Sequence, residues 1–179
     1  MKHDDPGRPM LYFAYGSNMS SPRLRARVPS AQPLGVASTR GRQLVFRKIG
    51  RDGSAKCDIA AADERTHGVY GVVFRIDPAH RPALDAAEGV GQGYEPIDLD
   101  LVSESGRHIS AFAYQATQVD EKLKPYAWYV QHVVRGAIEH GLPPDYIALI
   151  HAVAVRSDPD RERHARELSI YPPSGNFNP

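Results

Sequence analysis

A single cysteine, Cys57, serves the whole chain. No internal disulfide can form, and a reducing cytoplasm is the simplest home. Charge of one sign is not in excess either: the formal net charge is +1. Nothing therefore draws the chain as a whole toward nucleic acid, acidic substrates or a membrane surface. No apolar run is long enough to span a bilayer. The polar start, Met1-Lys2-His3-Asp4-Asp5-Pro6-Gly7, has no apolar signal-peptide core. Metal patterns are missing as well. The eight histidines never fall in a His-Glu-x-x-His or related spacing, and one thiolate cannot build a zinc site. No metal and no cofactor is expected.

What is present is a chain of 179 residues, the size of one domain with a sizeable core. The expected layout is a polar tail over residues 1–9, a single domain over 10–171 and a short tail over 172–179. Strands are expected at Leu11–Tyr15, Leu34–Thr39, Gln43–Lys48, Asp58–Ala62, Gly68–Ile76, Ile97–Val102 and His108–Ala116. Helices are expected from Ser21 as N-cap to about Val28, and from Asp77-Pro78 to about Ala87. Three more are expected: Pro125–His140 with Gly141 after it, Pro143-Pro144 to about Val153, and Asp158-Pro159 to about Leu168. Strands dominate the first two thirds and helices the last third, which argues for α+β and against a doubly wound parallel sheet.

The stretch that organises the rest is Tyr12-Phe13-Ala14-Tyr15-Gly16-Ser17-Asn18-Met19. It reads as a buried strand, a tight polar loop and a helix start. It is either an ordinary capped turn or a loop whose free N–H groups receive a carboxylate, a phosphate or an oxyanion. Glu88 closes a helix directly before Gly89-Val90-Gly91, at the end of the dipole that disfavours a carboxylate. It is either a solvated helix end or, in a dry pocket, a proton shuttle. Tyr126 and Tyr129 flank Trp128; each is either core packing or a phenol reaching a pocket. Ser17 lacks the Gly-x-Ser-x-Gly elbow and any indicated histidine partner. The arginines at 23, 25, 27, 40, 42, 47 and 51, with Lys48, read as a solvated basic face. Cys57 reads as structural.

Three segments in order carry the reading further. They are Tyr12–Met19, then Leu84-Asp85-Ala86-Ala87-Glu88-Gly89-Val90 with Gly93-Tyr94, then Glu139-His140-Gly141-Leu142-Pro143-Pro144-Asp145-Tyr146. Together they resemble the gamma-glutamylcyclotransferase family over about residues 11–152. The resemblance implies a compact mixed β-barrel flanked by helices, with the pocket at the barrel mouth. It implies that the α-amine of a γ-glutamyl group attacks its own γ-carbonyl, giving 5-oxoproline and a free amine or amino acid. By the same resemblance Glu88 is the general acid/base. Tyr12, Phe13, Ala14, Tyr15, Gly16, Ser17 and Asn18 hold the glutamyl half, and Tyr129 hydrogen-bonds the substrate, with Tyr126 as the alternative. Glu95-Pro96 departs from the pattern, and nothing beyond about residue 152 is recognised. The partner implied is a small γ-glutamyl molecule, with no nucleic acid and no membrane; a homodimer is left open. A non-catalytic carboxylate-binding module on the same fold, or a cyclotransferase dedicated to γ-glutamylamines or another specialised γ-glutamyl intermediate, are the competing readings.

Overall fold

The computed structural model describes residues 9–65 and 68–172. The two expected tails lie almost wholly outside them. All seven strands and five helices of the expected plan are present, with shifted ends. The strands are β1 (Met10–Ala14), β2 (Gln32–Arg40), β3 (Arg42–Ile49), β4 (Ala55–Ala61), β5 (Gly68–Ile76), β6 (Tyr94–Ser103) and β7 (His108–Ala116). The helices are α1 (Ser21–Arg25), α2 (Arg81–Glu88), α3 (Ala127–Glu139), α4 (Pro144–His151) and α5 (Arg161–Leu168).

Five strands close into a barrel in the order β1-β5-β2-β6-β7. The β-branched run of β5 makes it a central stave. Val72, Val73 and Phe74 are buried on successive positions, as a strand covered on both faces requires. It pairs antiparallel with β1 (Phe13 opposite Val73) and with β2 (Ala37 opposite Gly71). In β6, Leu99 and Leu101 turn inward while Asp98 and Asp100 face out, the alternation expected of a half-covered strand. β7 closes the barrel by lying parallel to β1 at Tyr12 and Phe112. The fold is thus a mixed α+β barrel with flanking helices.

β3 and β4 form a separate ribbon. It is fastened to the chain after β7: Ile49 N–H donates to Gln118 O at 3.0 Å, and Asp120 N–H to Arg47 O at 2.8 Å. Buried Asp58 reinforces the joint. It accepts from Ala116 N–H at 3.0 Å and from Arg47 Nε at 2.9 Å, so its charge is both paired and hydrogen-bonded where burial would otherwise be costly.

α3 lays Val130, Val133, Val134 and Ala137 against the barrel, the spacing of one helix face. Its Gly136 has a specific task. A Cβ there would stand 2.4 Å from Ser20 N and 2.5 Å from Met19 C. The helix therefore touches the backbone that leaves the Gly16-Ser17-Asn18 turn, an approach open only to glycine.

The helix expected from Asp77-Pro78 opens as a 3-10 turn, Pro78–His80, and α2 follows from Arg81. At two other helices the capping residue differs from the sequence expectation. α1 begins at Ser21 with Ser20 as its cap, and neither side chain caps it locally. Glu139, from the far end of α3, accepts from Ser21 N–H at 3.1 Å instead. α5 begins at Arg161, capped by Asp160, whose side chain accepts from Arg163 N–H at 2.8 Å. Asp158 turns inward and accepts from Trp128 Nε1–H at 2.8 Å and Arg163 Nε–H at 2.6 Å. In both cases the capping group was decided by a tertiary partner.

Gly136→Ala gains helix propensity yet forces the helix from the loop. It should lower stability by about 1–3 kcal/mol. A thermal melt would show a midpoint several degrees lower, whereas a higher midpoint would mean that the contact is slack.

Candidate active site

At the barrel mouth, β1 ends and the chain enters a 3-10 turn, Ser17–Met19. Met19 N–H returns to Gly16 O at 3.0 Å and Ser20 N–H to Ser17 O at 3.3 Å. The N–H groups of Ser17 and Asn18 are left over by the turn itself. They stand at a cavity lined by Tyr12, Tyr15, Gly16, Ser17, Asn18, Cys57, Glu88, Tyr94, Tyr114 and Tyr129.

Asn18 is the hub of this cavity. Its Nδ2 donates to Glu88 Oε1 at 2.8 Å and to Tyr12 Oη at 3.1 Å. Its Oδ1 accepts from Arg27 Nη1 at 3.1 Å, and the same guanidinium nitrogen reaches Glu88 Oε1 at 3.3 Å. Both contacts to Glu88 fall on Oε1. Glu88 Oε2 accepts from no donor among the described residues. Glu88 is brought to this place by α2, which ends on Gly89 at φ +74°. A left-handed residue there reverses the chain at once, so the last helical side chain stands at the rim.

The walls are phenols. Tyr94 Oη–H donates to Cys57 O, while Tyr129 Oη accepts from Cys57 N–H at 3.0 Å. One residue of the ribbon is thus gripped on both backbone groups. Tyr15 Oη–H donates to Tyr114 O, and Tyr114 Oη–H to Asp85. Burial pushes Tyr15, Tyr94 and Tyr129 well above the ordinary phenol range. Burial and then the Glu88 charge do the same to Tyr12. Burial, with the Asp85 hydrogen bond, raises Tyr114. Burial also pushes the Cys57 thiol up to about 12, so it is protonated and a poor nucleophile at neutral pH. Among the residues lining the cavity, Glu88 is the one carboxylate. Among the described residues no group of three or more His, Cys, Asp or Glu side chains is placed to hold a metal ion.

This arrangement can take a proton from a bound amine at a single carboxylate oxygen and surround the rest of the ligand with neutral donors. Known proteins share its framework. Residues 68–150 match the model of the AIG2-like family. The gamma-glutamylcyclotransferase of Bos taurus is 32% identical over 82% of this chain and 80% of its own length. That of Homo sapiens is 32% identical over 80% and 78%. The chain belongs to the gamma-glutamylcyclotransferase family. A solved gamma-glutamyl cyclotransferase, 26% identical, superposes with a TM-score of 0.78 over 89% of this chain and 99% of its own.

Within this cyclotransferase fold, Tyr12, Tyr15, Gly16, Ser17, Asn18, Glu88 and Tyr129 meet around one cavity. Phe13 and Ala14 do not line it. Both are fully buried in the core, with the Phe13 ring pressed toward Gly71. Tyr126 is turned elsewhere, donating to Asp52 O at 3.2 Å. Cys57, Tyr94 and Tyr114 were not expected at the site. The clue to the tyrosines was their strand position: each sits where an inward-facing residue near the barrel mouth falls, but only the β6–β7 register shows it.

The arginines also differ from expectation. Arg42 donates to Ile59 O at 3.4 Å and Arg25 to Ala31 O at 3.2 Å. Arg23, Arg27, Lys48 and Arg51 instead converge with Lys56 on an open vestibule. It adjoins the cavity through Ser17, Glu88, Tyr94 and Tyr129.

Behind the turn, the segment after α5 is latched to it. Tyr171 Oη–H donates to Ser20 Oγ at 2.8 Å and Tyr171 Oη contacts His132 Nδ1 at 2.7 Å. His132 Nε2 lies 3.1 Å from Arg23 Nη1 and 3.3 Å from Glu167 Oε2. Burial drives His132 down from 6.5 to about 4. The ring is therefore neutral at pH 7, and its unprotonated nitrogen accepts from a neighbour. Protonation must break that bond.

The unfolded chain takes up that proton near pH 6.5 and the folded protein near 4. Stability should fall as pH drops through this window, by up to about 3 kcal/mol. Glu167, held down to about 2 by His132 and then Arg23, loses its share at lower pH, below its ordinary 4.5. Thermal midpoints taken across pH 7 to 4 should decline, and His132→Gln should flatten the decline. An unchanged slope in the variant would assign the effect elsewhere.

Proposed function

We propose that the chain cyclises a γ-glutamyl group to 5-oxoproline and releases the amine or amino acid attached to it, with Glu88 as the general acid/base. The observation that carries this reading is the division of labour at Glu88. Asn18 and Arg27 fix one carboxylate oxygen, and the other has no protein donor beside the cavity.

The reaction needs little else. Nucleophile and electrophile belong to one molecule, so holding the glutamyl chain folded brings the amine to its own carbonyl and removes most of the entropic barrier. The leftover N–H groups of the Ser17–Met19 turn receive the α-carboxylate. Glu88 Oε2 accepts a proton as the α-amine bonds to the γ-carbonyl carbon. The oxyanion of the tetrahedral intermediate is met by neutral phenol donors, which their raised pKa values keep protonated. Glu88 then delivers the proton to the leaving nitrogen as the original amide bond breaks. Tyr12 is suited to donate, since its Oη accepts from Asn18 and its own proton has no acceptor among the described residues. Tyr129 holds the cavity wall and reaches the substrate from the opposite side. No covalent enzyme intermediate enters, consistent with a protonated Cys57. The absence of a disulfide framework fits a cytoplasmic protein.

Glu88→Gln keeps the shape and the Asn18 contact but removes the base. Release of 5-oxoproline from γ-glutamyl substrates should fall by about 10²–10⁴-fold, with the thermal midpoint little changed. Near-normal turnover in the variant would remove Glu88 from the chemistry. Tight binding of γ-glutamyl ligands by the unmodified protein, with no product, would make it a binding module.

A further inference from the structure

The vestibule outside the catalytic cavity is not electrically balanced. Five cations line it, Arg23, Arg27, Lys48, Arg51 and Lys56, against three carboxylates, Asp52, Glu88 and Glu167. Three of the cations are spoken for. Arg23 pairs with Glu167 at 2.7 Å, Arg27 with Glu88 at 3.3 Å and Lys56 with Asp52 at 2.8 Å. Lys48 and Arg51 have no ion pair and no side-chain hydrogen bond among the described residues.

Lys48 is placed there by an irregularity. The β3–β4 register slips between Phe46 and Lys48, so that Phe46 faces Cys57 but Lys48 faces Lys56. Such a bulge shifts the following side chain to the other face of the ribbon. It sets two lysines directly opposite one another, which costs stability in any strand pair. Asp52 bonds Lys56 and not Lys48. Lys48 is 7% exposed, and its Nζ lies 4.8 Å from the centre of the Tyr94 ring. Burial lowers its pKa although Glu88 and Asp52 act the other way, the signature of a cation short of solvent. Arg51 is exposed, and its Nη2 comes within 3.4 Å of the point where a Cβ on Gly89 would stand. Lys48 Nζ in turn comes within 3.0 Å of the point where a Cβ on Gly93 would stand, so the two cations flank the loop that follows Glu88, in the vestibule outside the cavity.

We propose that Lys48 and Arg51 read carboxylates on the leaving half of the substrate, so that an acidic amino acid is preferred over a neutral one and a neutral one over a simple amine. The inference rests on the cyclotransferase reading given above. One carboxylate satisfies one cation; a leaving half with two satisfies both and neutralises the vestibule. An uncharged amine leaves Lys48 desolvated and unpaired, so γ-glutamylamines are the poorest substrates. The two residues bind and rank substrates; they do not touch the reacting bond.

The test compares 5-oxoproline release from γ-glutamylglutamate, γ-glutamylglutamine and γ-glutamylisobutylamine, with leaving halves of two, one and no carboxylates. The unmodified protein should rank them in that order, with kcat/KM falling about tenfold per carboxylate lost. Lys48→Met and Arg51→Met should each compress the ranking about tenfold, through KM and not kcat, while Lys48→Arg should retain it. Arg51 is exposed, so its variant remains informative should Lys48→Met fold poorly. Raising the ionic strength should compress the ranking too. Equal rates on all three substrates, or a ranking untouched in both methionine variants, would overturn the proposal. No product from any of the three would overturn the cyclotransferase reading and this inference with it.

Discussion

The site depends on one side-chain amide. Asn18 donates to Tyr12 and Glu88 and accepts from Arg27. Those partners stand on β1, at the end of α2 and beyond α1. The amide is nearly fully buried, so each of its hydrogen bonds forms where water cannot substitute. An aspartate would lose the donors and a leucine would lose everything but volume. The asymmetry of Glu88, one oxygen fixed and one open, follows from this grip. So does the orientation of the turn, because the residue that holds the carboxylate also belongs to the loop beside the cavity. The nucleus of the site is therefore a few residues deep in the first strand-to-helix junction, and the helices arrive to meet it. α3 reaches it only because Gly136 has no side chain.

Around that grip the protein uses phenols where other enzymes use charges. A tyrosine buried this deeply remains a donor at any physiological pH. The cavity thereby acquires hydrogen-bonding capacity without a second titrating group to compete with the carboxylate. Charge is exported to the vestibule, where cations are allowed to outnumber carboxylates. The boundary between the two environments runs through Ser17, Glu88, Tyr94 and Tyr129, which touch both. A neutral interior suits the half of a ligand that reacts, and a charged exterior suits the half that differs between ligands.

Much of this was legible beforehand, for identifiable reasons. Runs such as Gly-Val-Tyr-Gly-Val-Val-Phe-Arg-Ile are local statements about burial, and strand β5 follows them residue for residue. Asp77 announces a helix start by local geometry, and it caps Ala79 N–H at 2.9 Å. Ser21 and Asp158 announced starts as well, and there the expectation failed, since a remote Glu139 and a buried Trp128 set the outcome. Phe13 and Ala14 fell inside a recognisable motif, yet motif membership does not say which side chains reach a cavity and which fill the core. Tyr94 and Tyr114 were unreadable for the opposite reason: each is an ordinary strand aromatic until the barrel closes. Arg23, Arg27, Lys48 and Arg51 were legible as a basic face but not as the lining of one vestibule, because the β-bulge that places Lys48 is not visible as periodicity.

The barrel seam has a temporal side. β1 carries the turn that bears the site, and its two neighbours are β5 and β7. Both are made later on the ribosome. Tyr12 meets Phe112, and Tyr15 bonds to Tyr114 across 99 residues of chain. Bringing such distant segments together costs loop entropy before any contact rewards it. The first strand can pair with β5 early, but its other edge stays open until β7 is made. A fragment that ends before β7 lacks a closed barrel and a fully walled cavity. The seam that completes the barrel therefore also completes the cavity, since Tyr114 of β7 is one of its walls.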